Sequence, residues 1–131
     1  MIAFDTSLVV RIATGDDPKQ KAAALALLTK ETVFVPKTVV VDTEWVLRSR
    51  YGLTPREVAE FLTYLLESEG IVVEDAQTIH QALTYYNAGA DFADALHLAS
   101  AGELTLYTLD KAFCRQARKV GMVANVHIVN A

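Results

Sequence analysis

The alternation of short apolar segments with longer helix-like segments constrains the fold most strongly. Five short apolar runs recur along the chain, at residues 2–4, 33–35, 71–73, 104–108 and 126–129. Each has the length of a buried strand rather than of a helix. Strands that alternate with helices are typical of α/β folds, in which helical crossovers connect parallel strands. The sequence therefore predicts an α/β layer fold with a mostly parallel central sheet of about five strands.

Helix signals fill the intervals between these runs. The clearest is Thr54-Pro55-Arg56-Glu57, a capping box with proline at the first helical position. Residues 38–49 are ambiguous, because three consecutive valines favour a strand whereas the following residues favour a helix; we predict a helix. The predicted helices cover residues 8–13, 18–30, 38–49, 55–67, 76–87, 91–99 and 111–120.

The composition indicates a single globular domain over residues 1–131. Of the 131 residues, 52% are hydrophobic, enough to bury a core. No apolar run approaches the roughly 18 residues of a membrane span, and Asp5 interrupts the N-terminus too early for a secretory signal. The lone cysteine, Cys114, suits a reducing compartment, so we expect a cytoplasmic protein. The net charge of −4 argues mildly against nucleic-acid binding unless several carboxylates share a functional pocket.

Four carboxylates are expected at one edge of the predicted sheet. Asp5 and Asp110 each follow a strand directly, and functional crevices of open α/β sheets lie beyond the strands' carboxyl ends. Asp94 lies in the first turn of a helix that folds back before the strand leading to Asp110, and Glu44 lies early in the helix after the second strand. Acids this close would raise one another's pKa values unless a cation lay among them. Mg²⁺ binds such carboxylates and promotes phosphodiester hydrolysis, so the pattern favours a metal-dependent nuclease.

Each acid also has a purely structural interpretation. Asp5 can cap a helix, Glu44 can be an ordinary helix glutamate, and Asp110 can be a turn residue. Asp91 and Asp94 stand three residues apart, as a cap and its partner do. We assign Asp91 to capping and Asp94 to the pocket. The case for a site thus depends on the joint placement of the acids.

Several segments, in order and over nearly the whole chain, resemble the PIN-domain nucleases, most closely the VapC-type toxins of toxin–antitoxin pairs. The Asp-Phe-Ala-Asp-Ala-Leu segment followed by Thr-Leu-Asp is the most specific part. The segments are Ile2-Ala3-Phe4-Asp5-Thr6, Thr43-Glu44, Asp91-Phe92-Ala93-Asp94-Ala95-Leu96 and Tyr107-Thr108-Leu109-Asp110-Lys111-Ala112-Phe113.

The resemblance implies a three-layer α/β/α domain with Mg²⁺- or Mn²⁺-dependent endoribonuclease activity on RNA. It also implies a homodimer and inhibition by a small antitoxin protein. The family's acidic positions, which are catalytic and bind the metal, fall on Asp5, Glu44, Asp94 and Asp110. The supporting positions are Thr6, Ser7, Asp91 and Thr108.

Two residues depart from the family pattern. Ser7 stands where asparagine is frequent, and we expect this shorter group to reach its partner through water. His97 stands where isoleucine is common. A partly buried histidine that faces a neighbouring helix or a dimer partner is favoured over a metal ligand there.

Basic and aromatic residues suggest where a substrate could bind. Lys111 and Arg115 share a helix face beside Asp110, and Arg48 and Arg50 are further candidates for phosphate contact. A solvated charged face is the alternative. Trp45 is predicted to belong to the core, with an interface role as the alternative.

Other functions fit the sequence less well. A PIN nuclease that matures cellular RNA without being a toxin, and a PIN-like domain that only binds, are the nearest alternatives. A receiver-like signalling domain would also cluster aspartates around Mg²⁺. It would need an acidic pair after the first strand, where this chain has Asp5 alone.

Overall fold

A computed structural model describes residues 1–119, 121 and 126–130. The contacts divide the chain into two compact units, Met1–Ala76 and Gln77–Ala131. The described elements are β1 (Ile2–Ala3), α1 (Thr6–Thr14), α2 (Pro18–Lys30), β2 (Val33–Val35), α3 (Lys37–Ser49), α4 (Pro55–Glu67), β3 (Ile71–Val73), α5 (Ala76–Asn87), α6 (Phe92–Ala101), β4 (Leu106–Thr108), α7 (Lys111–Lys119) and β5 (Val126–Ile128).

The first unit contains a parallel three-stranded sheet in the order β1-β2-β3. Ile2 aligns with Val33, and Val33 with Ile71. Parallel neighbours require long connections, which α1 with α2 and α3 with α4 supply. Val33 and Val35 of the central strand are fully buried, so the core of this unit lies against β2.

Local capping explains where several helices of this unit begin. Thr54 and Glu57 form the predicted capping box of α4. The Thr54 hydroxyl accepts from the backbone nitrogen of Glu57 at 3.2 Å, and Oε1 of Glu57 accepts from the backbone nitrogen of Thr54 at 2.9 Å. Asp17 accepts a hydrogen bond from the backbone nitrogen of Gln20 and caps α2, where Pro18 occupies the first turn. The side chains therefore satisfy backbone donors that the helices leave unpaired.

Helix α3 begins without a local side-chain cap, because Pro36 precedes it. Its first backbone nitrogen, on Lys37, instead donates to Oε1 of Glu74 at 2.8 Å. Glu74 immediately follows β3, so a residue distant in sequence supplies the cap. The buried face of the helix includes Val40 and Leu47, which are nearly inaccessible to solvent. The ambiguous segment at residues 38–49 is thus a helix, as predicted.

The second unit contains a parallel two-stranded sheet, β4-β5, in which Tyr107 aligns with His127. Phe92 at the start of α6 is fully buried and meets Tyr86 of α5 edge to face, with ring centroids 5.3 Å apart. Helix α7 is described from Lys111 to Lys119; Val120, where we predicted its end, lies outside the described residues.

These elements confirm the predicted α/β class with parallel strands. In the described ranges the strands form sheets of three and two, whereas the sequence predicted one sheet of about five. Periodicity predicts that a segment is a strand but does not specify which strands pair, because pairing joins backbone groups far apart in the chain. None of the helices in the described ranges has both the length and the apolar character that a membrane crossing requires.

Candidate functional site

Two of the predicted acids share a cavity in the second unit. The cavity has a volume of about 180 Å³. Its walls are formed by α6, β4 and the start of α7. The lining residues are Asp94, His97, Leu106, Tyr107, Thr108, Asp110 and Phe113. The structure therefore brings Asp94 and Asp110 together beside a hydroxyl group and an imidazole.

Short-range hydrogen bonds hold these acids in place. Asp91 caps α6 by accepting from the backbone nitrogen of Asp94 at 3.1 Å, which is the capping role that the sequence predicted. The Thr108 hydroxyl accepts from the backbone nitrogen of Asp110 at 3.0 Å. Oδ1 of Asp110 accepts from the backbone nitrogen of Phe113 at 3.0 Å. Asp110 thus caps α7 with Oδ1.

The electrostatics of this cavity disfavour an ionised Asp94. Burial raises the pKa of Asp94 first, and the nearby charges of Asp91 and Asp110 raise it further, while His97 acts in the opposite direction. The effect of His97 therefore does not outweigh those of burial and the two neighbouring acids. A cation bound there would relieve the repulsion.

Asp5 occupies a different environment in the first unit. It is the N-cap of α1, and its Oδ1 accepts from the Ser7 hydroxyl at 2.6 Å and from the backbone nitrogen of Leu8 at 3.3 Å. The Ser7 hydrogen bond is the main cause that lowers the pKa of Asp5. We expected Ser7 to act through water, which was wrong: the serine oxygen contacts the carboxylate directly.

Glu44 is buried in the first unit and has a cationic partner. Its Oε2 accepts from Nε of Arg48 at 2.7 Å, one helical turn later. The expected position early in the helix was wrong, because Glu44 lies seven residues, or about 10 Å, after Lys37. Arg48, predicted to contact nucleic acid, is engaged in this ion pair, which the four-residue spacing could have indicated.

The oxygen donors of the second-unit cavity fit a hard divalent cation. Two carboxylates and a hydroxyl suit Mg²⁺ or Mn²⁺. Burial, and then the charges of Asp91 and Asp110, raise the pKa of Asp94, and a bound cation would offset this effect. Within the described residues, no group of three or more histidine, cysteine or acidic side chains is arranged to hold a metal ion. Asp5 and Glu44 belong to the first unit. Their convergence with Asp94 and Asp110 is therefore still a prediction.

The other predicted residues have the following positions. Lys111 and Arg115 are exposed on α7, and in the described part of the chain neither is ion-paired. His97 is exposed and lines the cavity, and its expected contact with a neighbouring helix or a dimer partner stays a prediction. Trp45 is 48% exposed, so its assignment to the core was wrong. The buried face of α3 includes residues 40, 43, 44 and 47, which recur every three or four residues. Residue 45 does not fit this spacing and therefore lies outside the buried face.

The sequence did not predict a polar network in the first unit. Arg11 contacts Oδ1 of Asp16 and the Tyr51 hydroxyl, both at 3.1 Å, and Tyr51 donates to Oδ2 of Asp16 at 2.7 Å. Beside this network lies a cavity of about 300 Å³ between α1 and α3. Tyr51 is forty residues from Arg11, and no local sequence pattern signals such a contact.

Comparison with protein families identifies a domain over most of the chain. The family model described as the PIN domain matches residues 2–119, which include parts of both units. No curated protein matches the chain significantly.

Proposed function

Because the chain belongs to the PIN domain family, whose members are nucleases, we propose that it is a metal-dependent endoribonuclease. The observation that carries the proposal is the cavity shared by Asp94 and Asp110, in which burial and neighbouring acids raise the pKa of Asp94. Such a cavity suits cation-assisted hydrolysis of an RNA phosphodiester. The family match also favours this function over a receiver-like signalling domain.

In this proposal the catalytic, metal-holding residues are Asp5, Glu44, Asp94 and Asp110. We propose that residues 1–131 constitute one PIN domain, in which the acids of the two units meet; the family match spanning both units supports this. A bound Mg²⁺ or Mn²⁺ would polarise the phosphodiester and lower the pKa of water. Thr6, Ser7, Asp91 and Thr108 support the acids. Asp91 accepts a hydrogen bond from the backbone nitrogen of Asp94, and the Thr108 hydroxyl accepts one from the backbone nitrogen of Asp110.

Basic residues near the acids are proposed to contact the RNA backbone. Lys111 and Arg115 are exposed and lie on the helix that Asp110 begins, so phosphates approaching the cavity would meet them. Arg48 is also proposed to contact the RNA, because its side chain is 41% exposed despite its bond to Glu44.

We further propose that the protein is a cytoplasmic toxin held inactive by an antitoxin protein. The support is the resemblance to VapC-type toxins around Asp91 to Leu96 and Tyr107 to Phe113. The neighbouring gene distinguishes this role from RNA maturation. A short adjacent reading frame whose product binds the chain and blocks cleavage would support a toxin. Normal growth on overexpression of the active chain alone would contradict it.

We also propose a homodimer that uses the outer faces of α2 and α4. Leu25 and Leu27 of α2 and Tyr64 of α4 are between 38% and 46% exposed, more apolar surface than an isolated helix layer usually presents. Light scattering at high micromolar concentration should give twice the chain mass, and a Leu27→Glu/Tyr64→Glu variant should give the monomer mass. A monomeric wild-type protein would rule out this assembly.

The direct test of the nuclease function is RNA cleavage with and without metal. Total RNA should be cut at internal positions with Mg²⁺ or Mn²⁺ and left intact with EDTA, and restored metal should restore cleavage. Mapping the new ends would define the target sequence. Full activity in the chelator would contradict the proposed mechanism, and no cleavage with either metal would contradict the proposed function.

A further inference from the structure

The only tryptophan of the chain is exposed on α3. Trp45 has 48% of its surface accessible, although an indole is among the side chains most stabilised by burial. Its ring borders a cavity of about 490 Å³ that Thr6, Thr38 and Asp42 also line. An aromatic face is therefore open to solvent at the edge of a concave surface.

A guanidinium group without a counter-ion lies beside this ring. The Arg50 guanidinium carbon is 5.8 Å from the centroid of the Trp45 ring. In the ranges that the structure describes, no carboxylate lies within ion-pairing distance of Arg50. The nearby Arg11 differs, because Asp16 neutralises it. Arg50 is thus the cation of this surface that is available to an external anion.

The polar network described above fixes the position of Arg50. Tyr51 follows it directly and hydrogen bonds both Arg11 of α1 and Asp16, so the end of α3 is attached to α1. Arg50 and Tyr51 line the 300 Å³ cavity together with Thr6 and Ser7. The cation is therefore held on the surface that continues to the start of α1.

This surface adjoins one of the proposed catalytic acids. Thr6 lines both cavities, and Ser7 lines the one that contains Arg50. Ser7 donates to Oδ1 of Asp5 at 2.6 Å. A ligand that contacts Trp45 and Arg50 would thus extend toward Asp5.

We propose that Trp45 and Arg50 form a subsite for single-stranded RNA, in which a base stacks on the indole and an adjacent phosphate contacts the guanidinium. The proposal rests on the proposed function, because it assumes an RNA substrate. Bases stack on aromatic rings without sequence preference, and arginine combines phosphate binding with stacking. Asp42 lines the same cavity as Trp45, and its carboxylate would repel phosphate there, which favours placement of the phosphate at Arg50. A cation that has no ion-pair partner among the described residues, beside an exposed ring, favours a nucleic acid over an apolar protein surface.

Intrinsic fluorescence tests the subsite directly, because Trp45 is the only tryptophan. A short single-stranded oligoribonucleotide is titrated into the wild-type protein in EDTA, where no cleavage occurs. We expect the RNA to quench the emission and to protect the indole from acrylamide. A duplex of the same sequence should do so much less, because its bases are already stacked.

Variants separate stacking from charge. Trp45→Ala should weaken oligonucleotide binding by roughly 5- to 100-fold, as measured by anisotropy of a labelled strand, whereas Trp45→Phe should retain much of the affinity. Arg50→Gln should weaken binding and reduce the slope of log affinity against log salt by about 1. Asp42→Asn, the matched control, should bind at least as tightly as the wild type.

With Mg²⁺, Trp45→Ala should raise KM for cleavage more than it lowers kcat.

Three results would overturn the subsite. The first is that RNA does not change the Trp45 fluorescence, and the second is that Trp45→Ala has the same KM for RNA cleavage as the wild type. The third is that the fluorescence changes with protein concentration and not with RNA. The last would mean that a second copy of the chain covers the indole. Failure of the proposed function is distinguishable. Quenching by RNA without any metal-dependent cleavage would leave the subsite standing and refute the nuclease.

Discussion

The acids of the two units differ in how their charge is balanced. In the first unit, Asp5 accepts a hydrogen bond from Ser7 and Glu44 pairs with Arg48, so each carboxylate has a partner from its own helix. In the second unit, Asp94 faces Asp110 and is close to Asp91, and its pKa is raised. The Ser7 hydrogen bond thus stabilises the ionised form of Asp5, whereas burial and neighbouring acids destabilise the ionised form of Asp94.

This difference indicates which acids most need a metal ion. A carboxylate that a neighbour already stabilises gains less from a cation than one that other carboxylates repel. We therefore expect Asp94 and Asp110 to provide most of the metal affinity. Asp5 and Glu44 would chiefly orient the metal ion and the substrate. The predictions below test this contrast.

The largest expected effect is that of Asp94→Asn. This change keeps the shape of the side chain but removes a charge that burial and two neighbouring acids oppose. RNA cleavage with Mg²⁺ should fall by orders of magnitude. The melting temperature of the metal-free protein should stay the same or rise, because the repulsion is relieved.

Glu44→Gln is the matched variant in the first unit. It too should lower cleavage, but the metal-free protein should gain no stability, because Arg48 already balances the Glu44 charge. Mn²⁺ should raise the melting temperature of Glu44→Gln more than that of Asp94→Asn. Equal responses of the two variants would show that the contrast between the units does not govern metal binding.

A smaller effect is expected at Asp91, which caps α6 and also repels Asp94. Asp91→Ala removes the cap and should lower the free energy of unfolding by about 1 kcal/mol. Asp91→Asn should preserve the cap, since asparagine caps about as well as aspartate, and should keep most of the activity. Denaturant unfolding and RNA cleavage measure the two effects. If Asp91→Asn loses cleavage while Asp94→Asn retains it, the assignment is wrong: Asp91 would belong to the catalytic pocket and Asp94 would not.

The smallest effect concerns Asp16 of the first unit. Hydrogen bonds from Tyr51 and then Thr14 lower its pKa from the ordinary value of 3.8. A lowered pKa means that the ionised group stabilises the folded protein above that value and loses this contribution as the pH falls through the folded-state pKa. Asp16→Asn should therefore lower the melting temperature near pH 7, and the difference should shrink below about pH 4. A difference that is independent of pH would show that the charge is not the cause.

The sequence predicted the elements of the fold well, because their signals are local. The capping box at Thr54, the apolar runs and the helix at residues 38–49 all depend on near neighbours, and the structure contains each of them. Strand pairing depends on backbone groups far apart in the chain. The number of strands that join one sheet was therefore not predictable from periodicity.

The candidate site was predictable in its chemistry but only partly in its geometry. Asp94 and Asp110 share a cavity because a helix and the next strand fold back on each other, which their lengths suggested. The sequence did not predict the ion pair of Glu44, although its four-residue spacing from Arg48 was visible. Tyr51 and Arg11 meet only through tertiary packing, so no pattern in the sequence could identify that contact.

The cap that Glu74 provides for α3 has a consequence for the order of folding. Glu74, which caps the first turn of α3, immediately follows β3. The first turn of α3 therefore lacks this hydrogen bond until the third strand has joined the sheet. A nascent chain that ends before residue 74 would therefore have a frayed α3. The surface formed by Trp45 and Arg50, and the burial of Glu44, would then mature only after most of the first unit had been synthesised.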